Sequence, residues 1–547
     1  MDHEIERLID VNCAQLNPLI ANGLAVTHLQ EAEVLNYIDS VFRSAARGFP
    51  EGLTYAGWRR CTPMEELNEA SRKKGNNKRM FDVAVSYLYM VKYFFNFKGK
   101  EIVRYMYLPF VSEAGSITIS GSRFFISPVL SDRVISVGTD TVFVRLLRDV
   151  LTFERVTQNF NVNGHREQAN VAWAMIYHKS AKMRKIKPTV RAHSTMVHYL
   201  FCKYGLMKTF EMFAQCTPIL GGKEINEDTY PSDQWVVCSS TQVKPKGFGR
   251  GLYEPSTLRI AVKRVDYERT MVRNMIAGLF YVVDHFPTRV KPEYVNNTLP
   301  QYMDNTRTWI ILMGHVLFSG NLPEGRLADD VEDHIRSLDE YIDSLVLKKF
   351  IEIGIPATDL YQFFGIIIEK ITDWLFVAAD KVNSMYDKEL SILYFVLKDI
   401  TTEIFKLYFK LKAASKKELT EKDIVDRMNK TISTGLIFRI TKQHNEVTTI
   451  ASSGDNKALK ITNVLVPQSS SSRQGNLKER ANLNDPTQFL HVSFAEVGGY
   501  SNLPKSAPTG GSRINQRLKL DHSGLVLRDP RLAPMLDRYS EDTRRKR

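Results

Sequence analysis

Cysteine is scarce in this chain. Cys13, Cys61, Cys202, Cys216 and Cys238 are the only five in 547 residues, and no two form a CxxC. An odd, scattered set excludes a disulfide framework and points to reduced thiols in a cytosol-like compartment. Long apolar runs are missing too. YLYMV is broken by Lys92, and GIIIEKITDWLFVAAD by Glu369, Lys370 and Asp373. A spanning helix needs ~18 uncharged apolar residues. The N-terminus, MDHEIERLID, is charged throughout and has no apolar signal core. We therefore expect a soluble intracellular protein with no membrane partner.

Catalytic signatures are lacking as well. There is no GxxxxGK[ST] phosphate loop, no GxGxxG after a strand, no HExxH on a helix and no DxDGD aspartate triad. Nothing in the chain amounts to a complete active site, so it is either not an enzyme or a piece of one. What is present is ordinary globular composition: 43% hydrophobic and 25% charged residues. That excludes a mostly disordered chain and a collagen-like fibre, and the length suggests three or four domains at roughly 100–200 residues each. Acidic residues are outnumbered, 61 against 74 Lys and Arg, leaving a net charge of +13. Such a surplus is compatible with a polyanionic partner but does not identify one.

Periodicity sets out the organisation. THLQEAEVLNYIDSVFRSAARGF, capped by Thr27 and ended by Gly48, reads as a helix, and Met80–Phe97 as a second. From Glu101 the chain turns β-branched and aromatic, punctuated by Gly115, Gly121 and Gly138, which is strand and turn chemistry. From about Asp149 to Lys416 helices are expected to dominate, with a β interlude between Gln234 and Val265. VTTIASSGDNKALKITNVLV reads as short strands, and QSSSSRQGN as a flexible link. The last seventy residues hold little that would form a core of their own and are expected to order only on a partner chain.

Several clusters carry two readings. GFGRG at 247–251, flanked by Lys244, Lys246 and Arg250, touches phosphate or, more simply, turns the chain. ADDVEDH at 328–334 looks metal-like, yet acids at a helix start favour the macrodipole. His193 and His198, five apart, share no helix face and read as ordinary histidines. The run 179–191, KSAKMRKIKPTVR, holds Lys179, Lys182, Arg184, Lys185, Lys187 and Arg191 with no acid. It either lines a nucleic-acid channel, gripping phosphates without reading sequence, or is a solvated loop.

Two stretches carry a family resemblance. In the first, Leu108-Pro109 leads to Gly115, then to Gly121 and a β-rich run ending at Leu130 and Arg133; Gly115 and Gly121 bracket one strand of a hairpin and Ser122-Arg123 begins the next. In the second, NDPTQFLHVS (484–493), KSAPTGGSR (505–513) and SGLVLRDPR (523–531) follow in that order. Together they are similar to the β (second-largest) subunit of multi-subunit DNA-directed RNA polymerases. Its corresponding motifs are Gly-Thr-Phe-Ile-Ile-Asn-Gly, Asn-Pro-Leu-Ser-Glu-x-x-His-Lys-Arg-Arg, Ser-Ala-Leu-Gly-Pro-Gly-Gly-x-Thr-Arg and Ala-Gly-Phe-Glu-Val-Arg-Asp-Val-His. Pro128 stands near the family's Gln, Val492 and Ser493 replace its paired arginines, and the following Pro-Glu-Thr-Pro-Glu-Gly is missing. A chain stopping there resembles the N-terminal fragment of the split β subunit of giant phiKZ-like phages.

The resemblance implies an α+β, multidomain fold. Residues 1–145 and 425–480 would form the protrusion, with 146–424 an inserted, mostly helical lobe and 481–547 the start of the fork. It implies that Gly510, Gly511, Ser512 and Arg513 form a fork-loop turn whose glycines allow close backbone approach and whose arginine meets phosphate. Lys505, Arg517, His491 and Arg528 would lie beside it, in a stretch (473–547) with 14 basic and 8 acidic residues, or +6. A merely solvated basic tail is the simpler alternative. Catalysis would be two-metal nucleotidyl transfer, with Mg²⁺ held by the β′ part and no cofactor bound by this chain. Partners would be the C-terminal half of β, β′ fragments, a phage-specific initiation factor where one is used, template DNA and nascent RNA. The setting would be the host cytoplasm, a phage-made compartment or the virion.

Two rivals remain at this level: a phage virion or scaffold protein, and a stand-alone nucleic-acid-binding protein using 179–191. Because Val492 and Ser493 stand where the family lines its rifamycin pocket, the assembled enzyme is expected to resist rifampicin. Inhibition of the purified complex at drug levels that stop a bacterial polymerase would overturn that expectation.

Overall fold

The computed structural model describes residues 30–73, 87–110, 116–119, 121–126, 129–137, 141–147, 150–174, 176, 194–241, 256–284, 301–317, 323–339, 341–378, 384–391, 393–414, 419–439, 447–449, 464–466, 492–497, 510–512, 519–521 and 525–538. The chain forms two compact units. The first combines 1–133 with 381–547, and the second is 134–380, inserted between those two parts.

In the first unit, α1 (Gln30–Ala46) packs on an antiparallel meander of β1 (Leu53–Arg60), β2 (Leu88–Phe97) and β3 (Lys100–Pro109). Leu88–Phe97 is therefore a strand, where helical periodicity was expected. Its continuous apolar run suits a strand buried on both faces over residues 89–93, and Tyr93 and Phe95 meet Phe42 of α1 at ring distances of 4.9 and 5.6 Å. Between β1 and β2 lies α2 (Pro63–Lys73). Thr62 accepts from the Glu65 amide at 3.4 Å, and Glu65 accepts from the Thr62 amide at 2.9 Å, a capping box with Pro63 at the first helical position. Next come β4 (Ser116–Ile119) and β5 (Ser122–Ile126), paired as the hairpin that Gly121, at positive φ, turns. Strand β6 (Val129–Asp132) closes this part.

The second unit is built on a sheet of β7 (Ile135–Val137), β8 (Thr141–Arg145), β9 (Val150–Val162), β10 (His165–Ala174), β11 (Ser194–Thr195), β12 (Ile219–Gly221), β13 (Trp235–Ser240) and β14 (Arg259–Lys263), with main order β11-β10-β9-β13-β14-β12. The long β9–β10 hairpin replaces helix expected after Asp149. Asn163 and Gly164 both take positive φ at its turn, the conformation that matches strand twist in a two-residue loop. Helices follow: α3 (Met196–Tyr204), α4 (Leu206–Thr209), α5 (Arg264–Tyr267), α6 (Thr270–Asp284), α7 (Thr306–Leu317), α8 (Glu324–Leu338), α9 (Ser344–Glu352) and α10 (Leu360–Ala378). Phe280 of α6 stacks on Phe160 of β9 at 5.9 Å, and Phe363 of α10 meets Phe153 edge-on at 5.8 Å. Asn274 of α6 donates to the Ile368 carbonyl at 2.8 Å, tying α6 to α10. The acids of 328–334 lie within α8 rather than at its start, and His334 is turned into the core, 3.0 Å from the Tyr199 hydroxyl.

The chain then returns to the first unit. β15 (Lys388–Ser391) pairs with β6, and α11 (Leu393–Ala414) packs on α1. α12 (Glu421–Thr431) is held to β3 by the Lys100–Glu421 ion pair at 2.8 Å and by Arg104 donating to the Val425 carbonyl at 3.3 Å. β16 (Val447–Thr449) joins β5, β17 (Val464–Val466) joins β6, α13 (Phe494–Val497) follows, and β18 (Gly510–Ser512) joins β17. The inserted unit thus spans 134–380 rather than the expected 146–424, because α11 and α12 complete the N-terminal part.

Two buried titratable groups in the second unit have pKa values shifted by burial. His198 has Nε2 3.0 Å from the Trp309 carbonyl, so Nε2 carries the hydrogen, and Nδ1 faces the Ser194 hydroxyl at 3.2 Å. Burial lowers its pKa to about 4. Asp284, closing α6, accepts from Ser240 at 2.7 Å and Gln158 at 3.0 Å, yet burial outweighs both bonds and raises its pKa to about 7 from the ordinary 3.8. The folded state therefore holds the Asp284 proton more tightly than the unfolded one. This stabilisation is full below the ordinary value and is lost as pH rises through about 7. Between pH 5 and pH 8 the parent chain should lose roughly 2–3 kcal/mol more than Asp284→Asn, read from urea midpoints at the two pH values; equal losses would place the charge elsewhere.

Candidate nucleic-acid interface

The sheet β15-β6-β17-β18 gathers the C-terminal residues that the sequence singled out. Residues 519–527 form a small hairpin, with Leu520 bridged to Val526 and both buried, and Leu525 bridges Glu389 of β15. The tail thus obtains its core from strands laid down far upstream. The described tail residues pack on strands of this same chain.

A polar cluster locks this arrangement. Ser493 is fully buried and its Oγ accepts from the Met385 amide at 2.7 Å. Glu496, on α13, accepts from the Tyr386 hydroxyl at 3.0 Å and from the Asp529 amide at 3.2 Å. Burial pushes the Tyr386 hydroxyl up to about 12, so it stays a donor at neutral pH. The Arg528 guanidinium lies 5.1 Å from the Tyr386 ring centroid and pairs with Asp537 at 2.6 Å. Asp529 turns inward and caps Arg531 at 2.8 Å. Arg528, Lys519, Arg531 and Arg538 are exposed. A cation held on a ring keeps its outer edge open to an anion.

Of the expected site residues, Arg528 belongs to this cluster. Gly510 and Gly511 lie at the opposite edge of the sheet from β15, as strand rather than turn: Val466 pairs with Gly510 and Leu465 with Gly511. Glycine in a short strand leaves room for close backbone approach, so the local geometry differs from the expectation while the residue type remains explicable. His491, Lys505, Arg513 and Arg517 lie outside the described residues, as do Lys179, Lys182, Arg184, Lys185, Lys187 and Arg191 and the GFGRG segment. Their anchor points are described. The strands flanking the 179–191 run, β10 and β11, are antiparallel neighbours, Trp173 opposite Thr195. Those flanking GFGRG, β13 and β14, are also neighbours, Ser239 opposite Arg259. β10 and β13 lie on either side of β9 and both run antiparallel to it.

Ser493, Glu496 and Tyr386 escaped the sequence reading. The Tyr386–Glu496 bond spans 110 positions, and no local pattern announces such a contact. Among the described residues no group of His, Cys, Asp or Glu is placed to hold a metal ion, and no helix is long and apolar enough to cross a membrane.

What fold and site define is an α+β protein with an interrupted first unit and basic segments rooted at sheet ends. The family model for the non-virion RNA polymerase subunit matches residues 20–542, nearly the whole chain. The chain belongs to that family. It is a subunit of a phage multi-subunit RNA polymerase, so other subunits are its partners, and the family's name sets it apart from polymerases carried in the virion. A comparison with curated proteins finds no match.

The buried acceptor at 493 yields a direct test. Ser493→Ala leaves the Met385 amide without its partner and should cost about 1–3 kcal/mol locally. Hydrogen exchange at Met385 and in 525–538 should accelerate together, and unchanged exchange would show that the tail is held by other contacts.

Proposed function

We propose that this chain is the N-terminal part of the polymerase's β subunit, forming one wall of the DNA and RNA cleft. The observation that carries the reading is the interruption. A unit made of 1–133 and 381–547 receives the 134–380 unit as an insertion, as a lobe inserted in a protrusion requires. The Ser116–Ile126 hairpin and the C-terminal motifs stand on the correct sides of that insertion. On this reading 134–380 is the lobe, the surrounding parts are the protrusion, and 481–547 begins the fork. The nucleotidyl-transfer chemistry, with its Mg²⁺, belongs to partner chains that carry DxDGD and the C-terminal half of β. This chain supplies shape and phosphate contacts.

Basic connections suit that task. A phosphate contact positions a duplex without a tailored pocket, so lysines and arginines on the connections between strands suffice. The segment 179–191 is the strongest candidate in the second unit, and Arg528, with Lys505, Arg513 and Arg517, in the first.

Purification of the assembled polymerase with mass spectrometry tests the subunit assignment. Equal amounts of this chain, a DxDGD chain and a chain resembling the C-terminal half of β support it. A polymerase in which another chain supplies the N-terminal half of β refutes it. For the contacts, Lys182→Ala, Arg184→Ala and Lys185→Ala together should weaken DNA binding by the complex on all sequences alike. They should also flatten the plot of log affinity against log salt by about 2–3. An unchanged slope would return this run to a solvated loop.

A further inference from the structure

Helices cover one face of the turn-proximal half of the β9–β10 hairpin and leave the other open. Gln158 and Phe160 of β9 point to the helices, where Gln158 donates to Asp284 at 3.0 Å and Phe160 stacks on Phe280 at 5.9 Å. Glu167 of β10, opposite Phe160, accepts from the Tyr267 hydroxyl of α5 at 2.6 Å. Side chains alternate along a strand, and residues directly opposite each other share a face. The other face therefore carries Asn161 opposite Arg166, Asn159 opposite Gln168 and Thr157 opposite Asn170. Thr157, Arg166 and Gln168 are exposed and the three asparagines half-buried. Ser239 of β13, opposite Asn161, extends this face to a third strand, and Arg155, two residues before Thr157, adds a second guanidinium. Beyond Ser239, Val237 and Ala261 are buried with Ile225, so the polar surface stops at β13.

Two features set this face apart from an ordinary solvated one. Asparagine is depleted in strands, yet Asn159, Asn161 and Asn170 all lie within these two. Asn161 donates to the Ser240 carbonyl at 3.1 Å, but the side chains of the other residues, from Arg155 to Asn170 on this face, form no hydrogen bond or ion pair among the described residues. The face also carries no carboxylate, because Glu154 and Glu167 alternate onto the opposite side. Arg155 and Arg166 alone set its charge.

We propose that this open face docks double-stranded DNA by its sugar–phosphate backbone. Arginine, asparagine, glutamine and threonine are side chains that contact phosphate and sugar oxygens. Two guanidinium groups with no acid beside them complement a polyanion. Phe153, further along the same side, is buried against Phe363, so the face offers unpaired bases no ring to stack on. That favours a duplex over a single strand. An RNA–DNA hybrid lies where nucleotides are joined, and this chain has no DxDGD, so the duplex is the DNA template's own. The inference rests on membership in a polymerase subunit family and not on the β assignment. It concerns the strands themselves, apart from the 179–191 run.

A photo-cross-linking phenylalanine analogue in place of Gln168, in the polymerase assembled on a labelled DNA duplex, should join this chain to DNA on illumination. Arg155→Gln with Arg166→Gln should weaken duplex binding by the complex about tenfold and flatten the plot of log affinity against log salt by about 2. Gln168→Ala with Asn170→Ala removes uncharged partners, and should weaken binding while leaving that slope as it is. Cross-links confined to protein or to RNA would overturn the proposal, as would parental affinity in both double variants. Neither readout depends on which subunit the chain is, so failure here is distinct from failure of the β assignment.

Discussion

The pairing of β6 with β15 is the constraint on which the first unit depends. Asp132 stands opposite Lys388 and Val129 opposite Ser391, and the Arg133 amide bonds the Asp387 carbonyl at 3.3 Å. The chain departs for the inserted unit right after β6 and is back just before β15. One short ladder therefore closes an excursion of more than two hundred residues. Loop-closure entropy grows only with the logarithm of length, so the cost is modest once the excursion folds by itself. Closure has consequences on both sides of the sheet. β17 and β18 extend it beyond β6, and the 519–527 hairpin meets it at β15, so sequence-distant strands share one scaffold.

Side-chain acceptors then do what ladders cannot. Where the backbone bends at Ser384–Asp387, Ser493 takes the Met385 amide, and Glu496 collects both the Tyr386 hydroxyl and the Asp529 amide. In the second unit the same role falls to buried titratable groups: His198 between Ser194 and Trp309, and Asp284 between Ser240 and Gln158. Leaving such groups unpaired in a dry interior costs more than the bonds return, which is why each has a partner from a different element. Asp284 also sits at the root of the connection that carries GFGRG, since Ser240 is the last residue of β13.

Much of the chain was legible before its fold. The 3.6 period of α1, α8, α10 and α11, the hairpin turned at Gly121 and the β13–β14 interlude all followed from local pattern. Leu88–Phe97 did not: a continuous apolar run fits a buried helix and a buried strand equally, and only pairing with β1 and β3 decides between them. The β9–β10 hairpin did carry a signal, Asn163-Gly164, that the surrounding helical expectation overrode. At the candidate site Arg528 was singled out from its motif, whereas Tyr386, Ser493 and Glu496 were not, since their roles arise from contacts between segments more than a hundred positions apart.

The amino-acid sequence by itself determined the family of the chain, since the model for the non-virion RNA polymerase subunit matches it over 20–542, and its basic excess. These are properties of composition and order, and they survive without coordinates. Tertiary structure decided where the inserted unit begins and ends, that Gly510 and Gly511 are strand, that the C-terminal residues share a core with β15, and which face of the β9–β10 hairpin the helices cover. Each of these depends on which distant surface a segment meets. Burial and strand pairing are relations between segments, and no window of local sequence contains both partners.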